Sequence, residues 1–259
     1  MKLLFIALSV MVLAACTPAY ELPGTDLKIA SVNLFIDNTD KNIEENLLLL
    51  DCDIYLLHEA VVGKNVDSTP FLDKGYDIYS HTSSSFDAFN GVLISRVPGD
   101  FKSVDLEYYY GFDPVVVAPF YSFDFTYNDK ALSVIGAHVP PAVFMPQEIV
   151  ELRKNAIEDI CRGITKGRDA MGREVILAGD FNTHPSDKIL DPILDSSLED
   201  VILYSENRYD KTWKPDISPV KLARIDYFFI STNLHTRYLD SFSVAGSDHS
   251  GLITGIDLK

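Results

Sequence analysis

Basic residues are scarce in this 259-residue chain: 22 Lys and Arg stand against 38 Asp and Glu, a formal net charge of −16. No Lys/Arg-rich stretch interrupts that balance. Such a surface offers no electrostatic footprint for the backbone of a long nucleic acid, which ordinarily docks on a basic face. It leaves room for a small phosphorylated ligand, because one local pocket holding a metal overrides the global field. Cysteine is sparse too, limited to Cys16, Cys52 and Cys161. That excludes a dense disulfide framework, and no Cys/His spacing suits zinc. Cys52 and Cys161 lie in apolar stretches and read as buried free thiols, with mutual pairing the alternative in an exported protein. Past the N-terminal run, no stretch of eighteen or more apolar residues predicts an internal membrane span. Repeats, low-complexity tracts and an interior linker are also missing.

The first residues differ from the rest. Lys2 supplies a positive start, and Leu3 to Ala14 form an apolar run of signal-peptide length, short for a membrane span. The run closes on Leu13-Ala14-Ala15-Cys16, which resembles a bacterial lipobox. On that reading residues 1–15 are a signal peptide and Cys16 is lipidated as the new N-terminus. Residues 16–26, with two prolines and a glycine, form a tether. A plain cleaved secretion signal accounts for the same run without using the cysteine. The expectation is an exported protein, lipid-anchored to a bacterial cell membrane, each buried CH₂ worth ~0.8 kcal/mol. Removing residues 1–15 takes away only Lys2, leaving a net charge of about −17.

The body of the chain, 27–259, reads as one domain rich in strands. Leu27 to Phe35 alternates, and Thr39 or Asp40 can cap a helix through Ile43, Leu47 and Leu50. Asp53 to Leu57 is a compact apolar run that delivers His58 and Glu59 at its end. Further strands are predicted at Tyr76–Ser80, Gly91–Ser95, Val115–Phe125, Leu132–His138, Val175–Ala178, Arg224–Ser231, Arg237–Val244 and Leu252–Asp257. Pro146 suits the first turn of a helix reaching about Ile164, whose apolar face carries Ile149, Leu152, Ala156, Ile157 and Ile160. Many strands with few helices favour a layered α/β architecture.

Polar clusters punctuate the predicted strand ends, where a rigid scaffold presents side chains to a cleft. They are Asn33; His58-Glu59; His138; Gly179-Asp180-Phe181-Asn182; Arg224-Ile225-Asp226-Tyr227; and Ser247-Asp248-His249. Taken singly each is weak. A Glu after a strand is usually solvated, and Asp-Phe-Asn can be a simple turn. Asp226, inside an apolar strand, needs a partner if buried.

Taken in order, these clusters resemble the endonuclease/exonuclease/phosphatase superfamily, from Leu27 to the C-terminus. Gly-Asp-Phe-Asn at 179–182 and Ser-Asp-His at 247–249 are the most specific pieces, and the Gly91–Pro98 segment also looks like a family strand. The resemblance implies a four-layer α/β sandwich of two packed mixed sheets flanked by helices. It implies a metal-dependent phosphoric ester hydrolase using Mg²⁺ or Mn²⁺. Glu59 would be the principal metal ligand, completed or supported by Asn33 and Asp248. Asp180 would orient or deprotonate the attacking water, and Asn182 would hold the phosphate. His249, fixed by Asp226, would stabilise transition-state charge, while His138 would bind phosphate or protonate the leaving oxygen.

The sequence departs from the family pattern at His58, where glutamine is common, and at Gly251, where proline is common; both should affect packing or the cleft rim. Arg96, Arg153, Thr212 and Trp213 lie in segments that can approach the cleft, although Arg153 reads as a surface charge. Tyr108-Tyr109-Tyr110 before Gly111-Phe112 reads as an aromatic loop, for lipid contact or for packing. The resemblance implies a phosphorylated small molecule, a lipid headgroup or a nucleic acid as substrate. An extracellular nuclease and a non-catalytic phosphate-binding module of the same fold are the competing functions.

Overall fold

The computed structural model describes residues 24–82, 87–110, 113–141, 147–204, 211–214 and 220–258. The signal segment, Cys16, most of the tether, Pro146, Gly111 and Phe112 lie outside the described residues. In chain order the strands begin with β1 (Leu27–Asn33), β2 (Ile54–His58), β3 (Asp77–His81) and β4 (Gly91–Ser95). They continue with β5 (Gly99–Tyr110), β6 (Asp113–Tyr127), β7 (Lys130–His138) and β8 (Glu174–Asp180). Then come β9 (Leu198–Asp200), β10 (Asp226–Ser231), β11 (His235–Ser243) and β12 (Ser250–Asp257). The helices are α1 (Ile43–Leu49), α2 (Thr69–Leu72), α3 (Gln147–Met171) and α4 (Asp191–Asp195).

These strands form two six-stranded mixed sheets, ordered β11-β12-β1-β2-β4-β3 and β5-β6-β7-β8-β10-β9. Period-two alternation sorts their side chains into three layers of core. Leu27, Ile29, Ile54 and Leu56 of the first sheet meet Phe123, Val134, Ile176, Phe228 and Ile230 of the second in the central layer. Their neighbours Ala30, Val32, Tyr55 and Leu57 face outward onto Ile43 and Leu47 of α1 and Phe71 of α2. Val175, Leu177, Tyr227 and Phe229 face the other way, onto Ile157, Ile160 and Ile164 of α3 and Ile193 of α4. Both faces of each sheet are covered, which is why the central strands read as near-continuous apolar runs. Each fully buried Leu, Ile or Phe contributes roughly 1.5–3 kcal/mol. The expected four-layer α/β sandwich is the observed fold.

Two parallel pairs decide where the chemistry sits. The β1–β2 pair, crossed over through α1, sets Asn33 beside His58. The β7–β8 pair, crossed over through α3, sets His138 beside Asp180. Parallel neighbours end on the same edge. The antiparallel partner β10 starts there, with Asp226 opposite Asp180.

Several local expectations change. The N-cap of α1 is Asn42, not Thr39 or Asp40; the Asp40 carboxylate instead accepts the Asn42 N–H. Helix α3 runs on to Met171. Tyr108–Tyr110 end strand β5, paired with Asp113–Val115, so they are not a loop. Strand β9 and helices α2 and α4, three to five residues each, are too short to show a period. Cys52 is buried, Cys161 is partly so, and both are free thiols.

Candidate active site

Six strand ends from the two sheets converge on one edge of the sandwich, and all eight expected side chains belong to the network there. Asn33 closes β1, and Glu59 follows β2 with a left-handed backbone (φ 51). The Asn33 amide Nδ2 donates to Glu59 Oε1 at 2.9 Å and to Asp180 Oδ2 at 3.1 Å, bridging the two sheets. Backbone N–H groups fix the rest: Phe35 donates to Asn33 Oδ1 at 2.9 Å and Ile36 to Glu59 Oε2 at 3.0 Å.

The second sheet supplies the turn 179–182. Gly179 (φ 148) passes so close to β7 that an added Cβ would lie 1.8 Å from the Ala137 carbonyl oxygen; only glycine fits. This close pass brings Asp180, 1% exposed, beside His138. Asn182 is left-handed (φ 48). Its N–H donates to Asp180 Oδ1 at 2.8 Å, and its Nδ2 donates to the Val139 carbonyl at 2.9 Å and lies 3.4 Å from His138 Nε2. His138 Nδ1–H donates to the Ala88 carbonyl at 2.9 Å, so in the neutral ring Nε2 is the acceptor. Left-handed non-glycine backbone at Glu59 and at Asn182, one in each sheet's contribution, is the pattern expected of a functional edge.

His249 precedes β12, and its Nδ1 meets Asp226 Oδ2 at 3.0 Å, giving the buried Asp226 carboxylate its partner. His249 Nε2 lies 3.7 Å from Asp180 Oδ2 and 3.9 Å from Asp248 Oδ1. His138 Nε2 lies 3.7 Å from the same Asp180 oxygen and 3.8 Å from Glu59 Oε1. These four separations are too long for direct hydrogen bonds, so His249 Nε2 is left for a third group, while His138 Nε2 has only the long contact from Asn182 Nδ2.

Burial pushes the Asp180 carboxyl up to about 6, and Asp226 adds to the rise against the pull of His249 and His138. Burial disfavours a charged His249, but the Asp226 and Asp180 carboxylates outweigh it and lift the imidazole to about 10. His58 behind them is fully buried and pressed well below the ordinary imidazole value by desolvation and by its histidine neighbours. It stays neutral, with Nε2 3.3 Å from Ser31 Oγ and its ring stacked on Tyr121.

Ligand atoms of Asp180, Asp226 and His249 lie within 4.8 Å of one another, a donor set able to hold a metal. Within that set the His249 Nδ1 is already engaged by Asp226. The more accessible oxygens belong to Glu59 and Asp248, whose side chains are 17% and 26% exposed. Four carboxylates meet two imidazoles here, leaving negative charge that a hard divalent cation with oxygen ligands satisfies. The residues fit Mg²⁺ or Mn²⁺. Asn33 Oδ1 accepts the Phe35 N–H and keeps a second lone pair, so Asn33 is placed to complete the site beside Glu59 or to support it.

Other side chains hold this edge together. Ser247 Oγ donates to the Asn33 carbonyl at 2.6 Å and accepts the His249 N–H at 3.0 Å, tying β1 to the Asp-His pair. Trp213 Nε1–H donates to Asp248 Oδ2 at 3.0 Å, and Thr212, 1% exposed, accepts the N–H groups of Ile225 and Asp226. Gly251 makes room for the Phe242 ring, which lies where its side chain would stand. Two expectations fail. Arg96 sits at the far end of β4, paired with Asp51 and lying over the Tyr76 ring. Arg153 is no surface charge: it is 4% exposed and points at residues 182–183. A cavity of about 570 Å³ between residues 38–44 and 62–68 is lined by none of the eight site residues, and Asn38 and Asn65 in its wall are already engaged by backbone.

A two-sheet sandwich with Asp-His and Asp-Asn turns brought together on one edge is the architecture that the family resemblance of the sequence implies. The profile of the Endonuclease/Exonuclease/phosphatase family matches residues 33–249, and the chain belongs to that family. No curated protein matches it. Among solved structures it is similar to a family protein from Bacteroides thetaiotaomicron, at 17% identity and TM-score 0.67, covering 90% of this chain and 98% of that one. A mannosyl-6-phosphatase from the same organism gives 16% identity and TM-score 0.64, covering 90% and 100%. The human Nocturnin catalytic domain, with a bound sulfate anion, gives 14% and 0.68, covering 91% and 94%. At these identities the likeness establishes the fold.

Proposed function

We propose that this protein is a divalent-metal-dependent hydrolase of a phosphate ester, a phosphodiesterase or phosphatase, acting outside the cytoplasm. One observation carries the reading: a buried carboxylate oxygen, Asp180 Oδ2, is faced at 3.7 Å by the Nε2 atoms of both His138 and His249. Asp180, raised toward neutrality, is suited to take a proton from a water. The Asn182 N–H occupies its other oxygen and so orients it. His249, held protonated on Asp226, turns an Nε2–H toward the phosphate and stabilises charge as it develops. His138 binds the phosphate or, once protonated, donates to the leaving oxygen, and Asn182 holds the phosphate. Glu59, with Asp248 and the support of Asn33, would hold Mg²⁺ or Mn²⁺. A cation bound there supplies Lewis-acid polarisation of a phosphoryl oxygen.

The net charge of −16 favours a phosphorylated small molecule or lipid headgroup over long nucleic acid. The mannosyl-6-phosphatase neighbour supports the same direction. An intact Glu59, Asp180 and His249 argue against a module that only binds. The test is a panel of sugar phosphates, inositol phosphates, sphingomyelin and plasmid DNA with Mg²⁺, Mn²⁺ or EDTA. Expected is metal-dependent release of product from a small phosphate ester, abolished in Asp180→Ala and His249→Ala. Wild type no faster than those variants on every substrate sinks the catalytic reading; DNA cleavage far above the rest makes it a nuclease.

A further inference from the structure

Arg153 is buried on α3, and among the described residues it has no carboxylate partner. Its Nη2 donates to the Asn182 carbonyl at 3.0 Å and to Thr183 Oγ1. Its Nε is buried with no partner, and among the described residues no carboxylate forms an ion pair with it. Asp187 and Asp180 act on it only through space. Taking a guanidinium out of water without an ion pair is costly, and an apolar side chain of similar volume would fill the same space more cheaply. Packing alone therefore does not explain the residue.

The segment Arg153 holds does explain it. Asn182 has a left-handed backbone (φ 48), a region that asparagine enters more readily than most side chains, so its hold in one orientation has to come from its partners. Its amide groups are tied to the ends of β7 and β8, while its carbonyl is tied from α3 by Arg153. Thr183 is clamped next to it, its hydroxyl donating to the Phe181 carbonyl at 2.6 Å and its carbonyl accepting Tyr227 OH at 2.6 Å.

We propose that Arg153 is a positioning residue. It locks the 182–183 backbone from behind the cleft, and so keeps the Asn182 carboxamide aimed at His138 and the phosphate. This rests on the phosphoesterase reading above, with Asn182 touching the substrate. The test is a double-mutant cycle of Arg153→Met and Asn182→Ala, reading kcat, KM and the Tm of the metal-free protein. Arg153→Met should keep or raise Tm, because the isostere removes a buried charge. Its kcat should fall roughly 10- to 100-fold with KM little changed, the scale of a misplaced catalytic group. The double variant should be no slower than Asn182→Ala alone.

Multiplied losses in the double variant, or wild-type kcat in Arg153→Met, overturn the proposal. Arg153→Lys keeps the charge and stem but not the planar fork, and covers a Met variant that fails to fold. It should also lower kcat, and wild-type kcat in Arg153→Lys overturns the proposal as well. Activity lost in Asn182→Ala but kept in both Arg153 variants sinks this inference alone. Wild type as inert as Asn182→Ala sinks the hydrolase reading and this inference with it.

Discussion

His249 shows how one side chain is tuned by partners far away in sequence. Asp226, at 3.0 Å from Nδ1, and Asp180 together hold its pKa near 10 against the cost of burial. The folded value lies above the ordinary imidazole value. This contribution to stability is therefore complete below about 6.5 and is lost as pH rises through about 10. In Asp226→Asn the largest attractive charge is gone. An NMR titration of the metal-free variant should show the imidazole titrating well below 10, with stability falling at lower pH than in wild type; an unmoved pKa refutes the pairing. The motif Ser-Asp-His was legible in the chain, and so was the need of a buried Asp226 for a partner. Arg153 was not legible as a site residue. A helical period says which face a residue shares, but not that the turn after β8 folds back against that face.

Elements set the geometry that residues exploit. His138, Asp180 and Asp226 are aligned across β7, β8 and β10, so their spacing is the spacing of strands. A one-residue slip of β8 would turn Asp180 away from the edge. Gly179 allows the close pass of β8 to β7. Gly179→Ala would force its Cβ against the Ala137 carbonyl in a backbone region side chains avoid. The expected cost is at least about 3 kcal/mol, seen in chemical denaturation together with loss of activity; wild-type stability would contradict the register described here. Most strands were readable from alternation and apolar runs. Strand β5 was not recognised: its tyrosines suggested a loop, and its pairing with β6 is a non-local fact.

At the scale of the whole molecule, we propose attachment through a lipid on Cys16, because the apolar run ends in Leu13-Ala14-Ala15 directly before that cysteine. Wild type should then incorporate labelled palmitate and Cys16→Ser should not; absence of label in wild type would overturn the lipid anchor.

By itself the sequence determined the kinds of side chain available, their order along the chain and the alternation that sorts each strand between two covered faces. Those are local properties, written in residue type and period. Only the tertiary structure decided that Asn33 bridges Glu59 and Asp180, that both histidines face one carboxylate oxygen, and that Trp213 and Arg153 brace the edge from outside. Asn33 and Asp180 are separated by 147 positions, and their contact follows from strand pairing, crossovers and sheet stacking, which no local pattern encodes.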